Sequence, residues 1–412
     1  MWFMHEETGQ MWQQAGSPTA LPMEDPPIVF NEQPDITKKV QPRSEAENGG
    51  YDPSTWEKDA DYSVGDRIQY NVRVKLPSDG ILKNITEFNV IDAPVNLNDD
   101  VTTVAAGYVD ENGGSGPLGQ GSDYRVEPYK AGEFDGFKVI FNTANIAQRG
   151  IKEVEIRYEA VLTDKALTTT AGNPNTVTLE YQNMIIPNND GDNPNKDKTP
   201  GKNEIKDSAI VYTFQIDVEK VDDTGKPLGE GVTFELYSLE NIPAYGGPLE
   251  GTLSSEEAAE KGLEAVAGKV YRQIGGELVT DKDGKVSVKG LANGDYWLVE
   301  TKTKEGYNLL KGPVKVELKV QYQTDITTST EWVEENGVKT KIKTTINVTK
   351  TTFTDNGKTP DSIGNTTQTI VNKQGFELPT TGGMGTFIFT FVGIAMMAAA
   401  VILFITSKKK EA

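Results

Sequence analysis

Apolar residues recurring at every second position, punctuated by Gly, Pro, Asn and Asp, restrict most of this chain to β-structure. From Val64 to Leu76 (VGDRIQYNVRVKL), Ile68, Tyr70, Val72, Val74 and Leu76 hold that period, the signature of a strand with one buried face. Val154, Ile156, Tyr158, Ala160 and Leu162 repeat it, as do Phe214, Ile216 and Val218, and then Phe234 and Leu236. Turn signals lie between the runs, including Asp283-Gly284 and Asn336-Gly337, the latter inside an expected hairpin from about Thr328 to Val348. One helix is expected from Ser254 to Val266, with Ser254 as N-cap and Glu257 closing a capping box. With 41 Gly and 21 Pro among 412 residues, the predicted fold class is all-β: two tandem immunoglobulin-like β-sandwich domains.

Composition removes several kinds of chemistry. Asp and Glu number 61 against 41 Lys and Arg, a net charge of −20, which repels phosphate backbones and argues against a nucleic-acid partner. There is no cysteine, hence no disulfide, thiolate nucleophile or cysteine metal site. The single histidine, His5, stands in a stretch without fold signals, so triads, His-ligated zinc and a His general base lose their central residue. A glycosidase using paired carboxylates is a weak rival, because in so acidic a chain such pairs arise by chance. Residues 187–207 are rich in Asp and Asn but lack the bidentate Glu and spacing of a calcium loop. They read as a linker, and no metal or cofactor is expected.

The C-terminus carries a different signal. Thr386 to Ile405 form an uncharged run long enough to span a bilayer as a helix, followed by Lys408, Lys409 and Lys410, which hold that end on the cytoplasmic side. On hydropathy alone a permanent tail anchor fits equally well. Just upstream stands Leu378-Pro379-Thr380-Thr381-Gly382. Motif, apolar span and basic tail in that order resemble the sorting signal that sortases read in Gram-positive bacteria. The resemblance implies cleavage between Thr381 and Gly382 and transfer of the Thr381 carboxyl to an amine on peptidoglycan or on another subunit. The protein would then be secreted and cell-wall anchored, with the span inserted in the membrane only before sorting. Residues 1–37 contain no Lys or Arg and no apolar run of signal-peptide length, so the expectation is that the true N-terminus is missing. The predicted organisation is an unstructured or incomplete segment 1–30, a first sandwich 31–186, a linker 187–207, a second sandwich 208–375 and the sorting signal 376–412.

In the second sandwich a lysine occupies an apolar slot. Phe214, Ile216, Val218 and Lys220 share one strand face, Tyr296, Leu298 and Glu300 share another, and Asn372 follows the apolar Thr369-Ile370-Val371. Burying a lone charge costs several kcal/mol, so the three polar groups should meet. Desolvation favours a neutral amine and a protonated acid. A neutral amine can attack the Asn372 side-chain carbon, with the acid polarising its carbonyl, to give an amide and ammonia. A buried Lys–Glu ion pair with Asn hydrogen-bonded nearby is the alternative.

Thr280-Asp281-Lys282-Asp283-Gly284, Gly290-Leu291, Gly294 to Thr301 (GDYWLVET) and Gly306-Tyr307, with Leu228-Gly229 and Phe234-Glu235-Leu236, resemble Cna-B-type domains of Gram-positive pilins over roughly 210–375. Such domains commonly carry a self-formed Lys–Asn isopeptide bond beside a Glu, which implies Lys220, Asn372 and Glu300. Thr303-Lys304-Glu305 departs from the family's Ala-Pro, a change expected to alter a loop only. The first segment resembles the isopeptide-forming fimbrial domain through Pro34 to Lys38 (PDITK), Val64-Gly65-Asp66, Phe88 to Asp92 (FNVID), Gly172 to Asn175 (GNPN) and Leu179 to Asn183 (LEYQN). That implies Lys38 as nucleophile, Asp92 as acid and Asn183 as acceptor, Lys39 pointing outward.

The reading is a cell-wall-anchored pilin subunit, structural rather than enzymatic, whose partners are sortase and either peptidoglycan or other pilin subunits. A shaft pilin would carry a Tyr-Pro-Lys donor near Ile28 to Glu32, where no lysine stands. The alternative is a wall-anchored monomeric adhesin for a host or matrix ligand, with Glu240 to Gly276 as the candidate insertion.

Overall fold

The computed structural model describes residues 33–47, 49–185, 200–241, 251–335, 338–355 and 365–375, together with the short strands Trp2–Met4, Met11–Gln13 and Ile28–Val29. Two compact units emerge. The first takes in the chain up to Gln215, Lys289–Asn293 and Lys319–Asn365; the second takes in Ile216–Val288, Gly294–Leu318 and the residues from Thr366 onward.

The first unit is a sandwich. One sheet has six strands in the order Tyr124–Ala131, Phe134–Phe141, Phe88–Pro94, Asn173–Gln182, Lys202–Tyr212 and Asp59–Asp61. The facing sheet has five, in the order Asp35–Val40, Arg67–Lys75, Ile151–Leu162, Leu97–Asp110 and Ser115–Pro117. Alternation decides what goes inside. Ile68, Tyr70, Val72 and Val74 from one strand and Val154, Ile156, Tyr158, Ala160 and Leu162 from its neighbour are buried together, with Tyr70 directly opposite Tyr158. Cross-strand pairs of this kind, with apolar burial on one face, hold such a sheet together.

Two expected boundaries move. Lys202–Tyr212 is a strand paired along its whole length with Asn173–Gln182, so residues 202–207 belong to the first sandwich and not to a linker. Their polar composition misleads because the strand presents Asn203, Ile205 and Asp207 inward at alternate positions, two of the three polar. The expected hairpin forms but is longer, Val320–Glu335 against Val338–Asp355, and it clusters with the first unit rather than the second. Trp332 packs on the first core, and Tyr322 donates to Asp61 at 2.7 Å. The expected linker's earlier part and the whole sorting signal, including Leu378 to Gly382, the Thr386–Ile405 span and Lys408 to Lys410, lie outside the described residues. Among the described residues no helix is long and apolar enough to cross a membrane.

The second unit pairs a three-stranded sheet, ordered Lys285–Leu291, Phe214–Asp222 and Asn365–Asn372, with a four-stranded one, ordered Lys269–Val279, Thr233–Asn241, Gly294–Lys302 and Val314–Leu318. Its helix is short, Ser255–Glu260, and begins at the expected capping box: Glu257 N donates to Ser254 Oγ at 3.2 Å and Ser254 N to Glu257 Oε2 at 2.8 Å. It stops early because Gly262 takes a left-handed φ of 75°.

Gly284 closes the Asp281 turn at φ 72°, and its carbonyl accepts the Lys220 amide at 2.7 Å. A Cβ there would sit 2.7 Å from the Lys220 carbonyl oxygen. Gly284→Ala should therefore cost about 1–3 kcal/mol from backbone strain, read as a lower unfolding midpoint. An unchanged midpoint would show that the turn does not support the lysine strand.

Candidate functional site: two buried lysine clusters

In the second unit two neighbouring strands of one sheet bring Lys220 and Asn372 side by side. Phe214–Asp222 buries Phe214, Ile216, Val218, Lys220 and Asp222 on one face, and the strand bearing Asn372 runs next to it. Lys220 and Asn372 are 0% and 1% exposed. Lys220 Nζ donates to Asn372 Oδ1 and, more weakly, to the Ile370 carbonyl at 3.4 Å. Glu300, from the facing sheet, stands 3.6 Å from Lys220 Nζ and accepts from Asn372 Nδ2 at 2.8 and 3.1 Å. The three residues named from sequence thus form one closed cluster.

The orientation differs from the sequence expectation in one respect. Glu300 faces the amide nitrogen of Asn372, the group that would leave, and not its carbonyl oxygen. Glu300 Oε2, the farther of its two oxygens from Nδ2, also accepts the Leu310 amide at 2.9 Å. Thr303 was expected to alter a loop only, yet its Oγ1 accepts from Asn372 Nδ2 at 2.6 Å. That contact has no periodic signal: Thr303 follows the end of its strand, and the turn that carries it is set by the Tyr307–Gln374 bridge and the Asn308 N to Lys373 O bond at 3.1 Å. These clamps also fix the end of the strand that bears Asn372.

Burial is the largest influence on Lys220 and pushes its amine below the ordinary value of 10.5, the Glu300 charge opposing. A neutral amine beside a carboxamide, with a carboxylate reaching both, can exchange ammonia for an amide bond.

The first unit holds a second buried lysine. Ile36, Lys38 and Val40 point inward and Lys39 outward. Lys38 is fully buried and paired with Asp92. Its Nζ lies 5.0 and 5.3 Å from the ring centroids of Tyr70 and Tyr158, and the two rings stack on each other at 5.3 Å. Its backbone is fixed too: Lys38 N donates to Asp207 at 2.6 Å, and Lys58 Nζ donates to the Lys38 carbonyl at 2.9 Å. Asp92 also accepts from the Tyr158 hydroxyl at 2.8 Å, and that hydroxyl accepts from Asn175 Nδ2 at 3.1 Å. Burial, against the charges of Asp92, Asp99 and Asp207, lowers the Lys38 amine as well.

Asn183 is not in this cluster. Val177 lies opposite Asp92 and Tyr181 opposite Phe88, which puts Asn183 six positions beyond Val177, about 20 Å along the strand at the ordinary rise. It donates instead to Asn203 at 3.0 Å. The carboxamide that joins this cluster, through the Tyr158 hydroxyl that donates to Asp92, is Asn175, 0% exposed, whose Oδ1 has no hydrogen-bond partner among the described residues. The residue exchange has a simple cause. Asn173, Asn175, Tyr181 and Asn183 all have inward parity, and parity alone does not say how far along the strand the partner sits. The acceptor strand is also not beside the lysine strand: Asn173–Gln182 and Asp35–Val40 lie in opposite sheets, so a Lys38–Asn175 link would tie one sheet to the other.

Residues 214–336 match a family described as a prealbumin-like fold domain, and residues 370–412 match the LPXTG cell wall anchor motif. The trypsin-resistant surface T6 protein of Streptococcus pyogenes serotype M6 is 27% identical over 291 residues, covering 62% of this chain and 48% of that protein. The chain thus spans about half the length of that curated relative. The solved T6 backbone pilin of serotype M6 Streptococcus pyogenes superposes with a TM-score of 0.51 at 20% identity, over 84% of this chain and 71% of that one. The group B streptococcus pilus 2b backbone protein gives 0.47 at 21% identity, over 83% and 99%. In its matched segments and its all-β sandwich fold the chain is similar to sortase-anchored pilins of Gram-positive bacteria.

The state of Lys220 can be read by linkage. In Asn372→Ala no amide can form and Lys220 stays a free amine. Because its folded-state value lies below 10.5, the unfolded chain binds the extra proton, and the contribution of Lys220 to stability rises with pH up to 10.5. Relative to Lys220→Met/Asn372→Ala, the single variant should be less stable at pH 7, and the gap should narrow towards pH 10. A pH-independent gap would mean that the amine is not held neutral by burial.

Proposed function

We propose that this chain is a cell-wall-anchored pilin subunit, joined by sortase through Thr381 to peptidoglycan or to another subunit, and internally closed by Lys–Asn amide bonds. The observation that carries the reading is the buried Lys220–Glu300–Asn372 cluster in a chain that ends in a matched LPXTG anchor.

The reaction derives from the cluster's geometry. Lys220 Nζ attacks Asn372 Cγ. Glu300, in reach of both nitrogens, takes a proton from the amine and gives one to Nδ2. The Cγ–Nδ2 bond breaks, ammonia leaves, and Glu300 returns to its starting protonation. One amide replaces another, so neither water nor a cofactor is consumed. In the first sandwich the corresponding pair is Lys38 and Asn175. Each bond forms once, so the protein turns over no substrate.

The mechanical consequence follows from chain order. Lys220 and Asn372 are 152 residues apart and lie on the first and last strands of the second sandwich. Tension entering at Lys220 and leaving at Asn372 would pass through an amide rather than through sheet hydrogen bonds. By analogy with disulfides, closing a loop of that length is worth about 5 kcal/mol. A chain with no cysteine thereby gains a crosslink that no redox change opens.

Protein released from bacterial wall by muramidase, analysed by intact mass and peptide mapping, tests the proposal. The expected mass is short by one ammonia for each of two bonds, with Thr381 in amide linkage to an amine and residues after Thr381 gone. Full mass with both lysines and asparagines intact would remove the crosslink, and a free Thr381 would remove the sortase step. High-mass ladders on a denaturing gel are expected for a polymerised subunit; a single wall-linked band would point to a monomeric adhesin.

A further inference from the structure

Two carboxyl groups, not one, border the buried amine of the first sandwich, and they face different partners. Asp92 pairs with Lys38 and accepts from Tyr158. Asp99, 5% exposed, faces the carboxamide: its Oδ1 lies 3.5 Å from Asn175 Nδ2, at the outer limit of hydrogen bonding. Its other oxygen, Oδ2, is buried and meets no N–H or O–H donor among the described residues, while a side-chain hydrogen bond couples the Asp99 and Asp92 carboxyls. In the second sandwich one carboxylate, Glu300, touches both the amine and the amide nitrogen.

We propose that the first sandwich divides this work, Asp92 taking the proton from Lys38 and Asp99 delivering one to the departing nitrogen of Asn175. This deepens the reading that Lys38 and Asn175 form an amide, and rests on it. Written out, the neutral Lys38 amine attacks Asn175 Cγ and passes a proton to the Asp92 carboxylate. Protonated Asp99 gives its proton to Nδ2, the Cγ–Nδ2 bond breaks and ammonia leaves. The proton on Asp92 then passes to the neighbouring Asp99 carboxylate, so both groups end as they began.

The surroundings support a protonated Asp99. The groups facing it are Asp92, Lys38, Tyr70, Tyr158 and Asn175. Burial, then the Asp92 charge, holds its carboxyl well above the usual range, with Lys38 opposing. A charged Oδ2 without a donor would be costly, whereas a protonated one is the form that can donate.

The test uses the full chain, with the Lys220–Asn372 link as an internal control in each molecule. Linked peptides are quantified at intervals after synthesis in the unaltered chain, Asp99→Asn and Asp99→Glu. Asp99→Asn should close the second sandwich normally but form the Lys38–Asn175 link about 100-fold more slowly, the scale of a lost general acid. Asp99→Glu, which restores the proton, should recover most of that rate. A normal rate in Asp99→Asn would overturn the proposal. So would a slow rate in both variants, which would mark Asp99 as a packing residue. Absence of the Lys38–Asn175 link from the unaltered chain would overturn the underlying amide reading instead, a separate and distinguishable failure.

Discussion

A lysine amine sealed inside a β-sandwich is the constraint around which each domain is organised. Charged and alone, Lys38 or Lys220 would cost several kcal/mol to bury. Each sandwich meets that cost by bringing a carboxylate and a carboxamide to the same point: Asp92 and Asn175 in one, Glu300 and Asn372 in the other. Desolvation weakens the amine's hold on its proton in both places, and the group that would be a liability as a cation is the one the proposed closure uses as a neutral amine. The surrounding architecture serves this placement. Gly284 receives the Lys220 amide, the bonds around Tyr307 and Asn308 hold the strand end that bears Asn372, and Asp207 with Lys58 pins the backbone of Lys38.

The two clusters solve one problem with different topologies. In the second sandwich lysine and asparagine sit on neighbouring strands of one sheet, and a link there would staple an edge. In the first they sit on opposite sheets, and a link there would rivet the layers through the core. The proposed proton chemistry differs in step: one carboxylate spans both nitrogens in the second sandwich, whereas in the first Asp92 pairs with the amine and Asp99 faces the carboxamide. A chain with one histidine and no cysteine has few other groups able to do covalent work, and the proposed closure calls only on carboxyl, amine and carboxamide.

Much of this was legible in the sequence, for reasons that also explain what was not. Period-two alternation put Lys220, Glu300 and Asn372 on inward faces, and Ile36-Thr37-Lys38-Lys39-Val40 selected Lys38 over Lys39 in the same way. Alternation has no memory of distance along a strand, so Asn183 passed the same test as Asn175; the choice is made by cross-strand register, which sets Val177 against Asp92. Composition misassigned Lys202 to Asp207 because a polar residue turned inward, as Asn203 and Asp207 are, looks from sequence like one in solvent. Thr303 and Asp99 reach their clusters from a turn and from the facing sheet, contacts that no local pattern encodes.

Pulling single molecules by their ends addresses the covalent closure most directly. The second sandwich should hold at forces that unravel ordinary β-domains and give no length gain from the 152-residue stretch between Lys220 and Asn372, whereas Lys220→Met should release that length. Full extension of the unaltered domain at ordinary forces would contradict the account, because sheet hydrogen bonds alone would then be carrying the load.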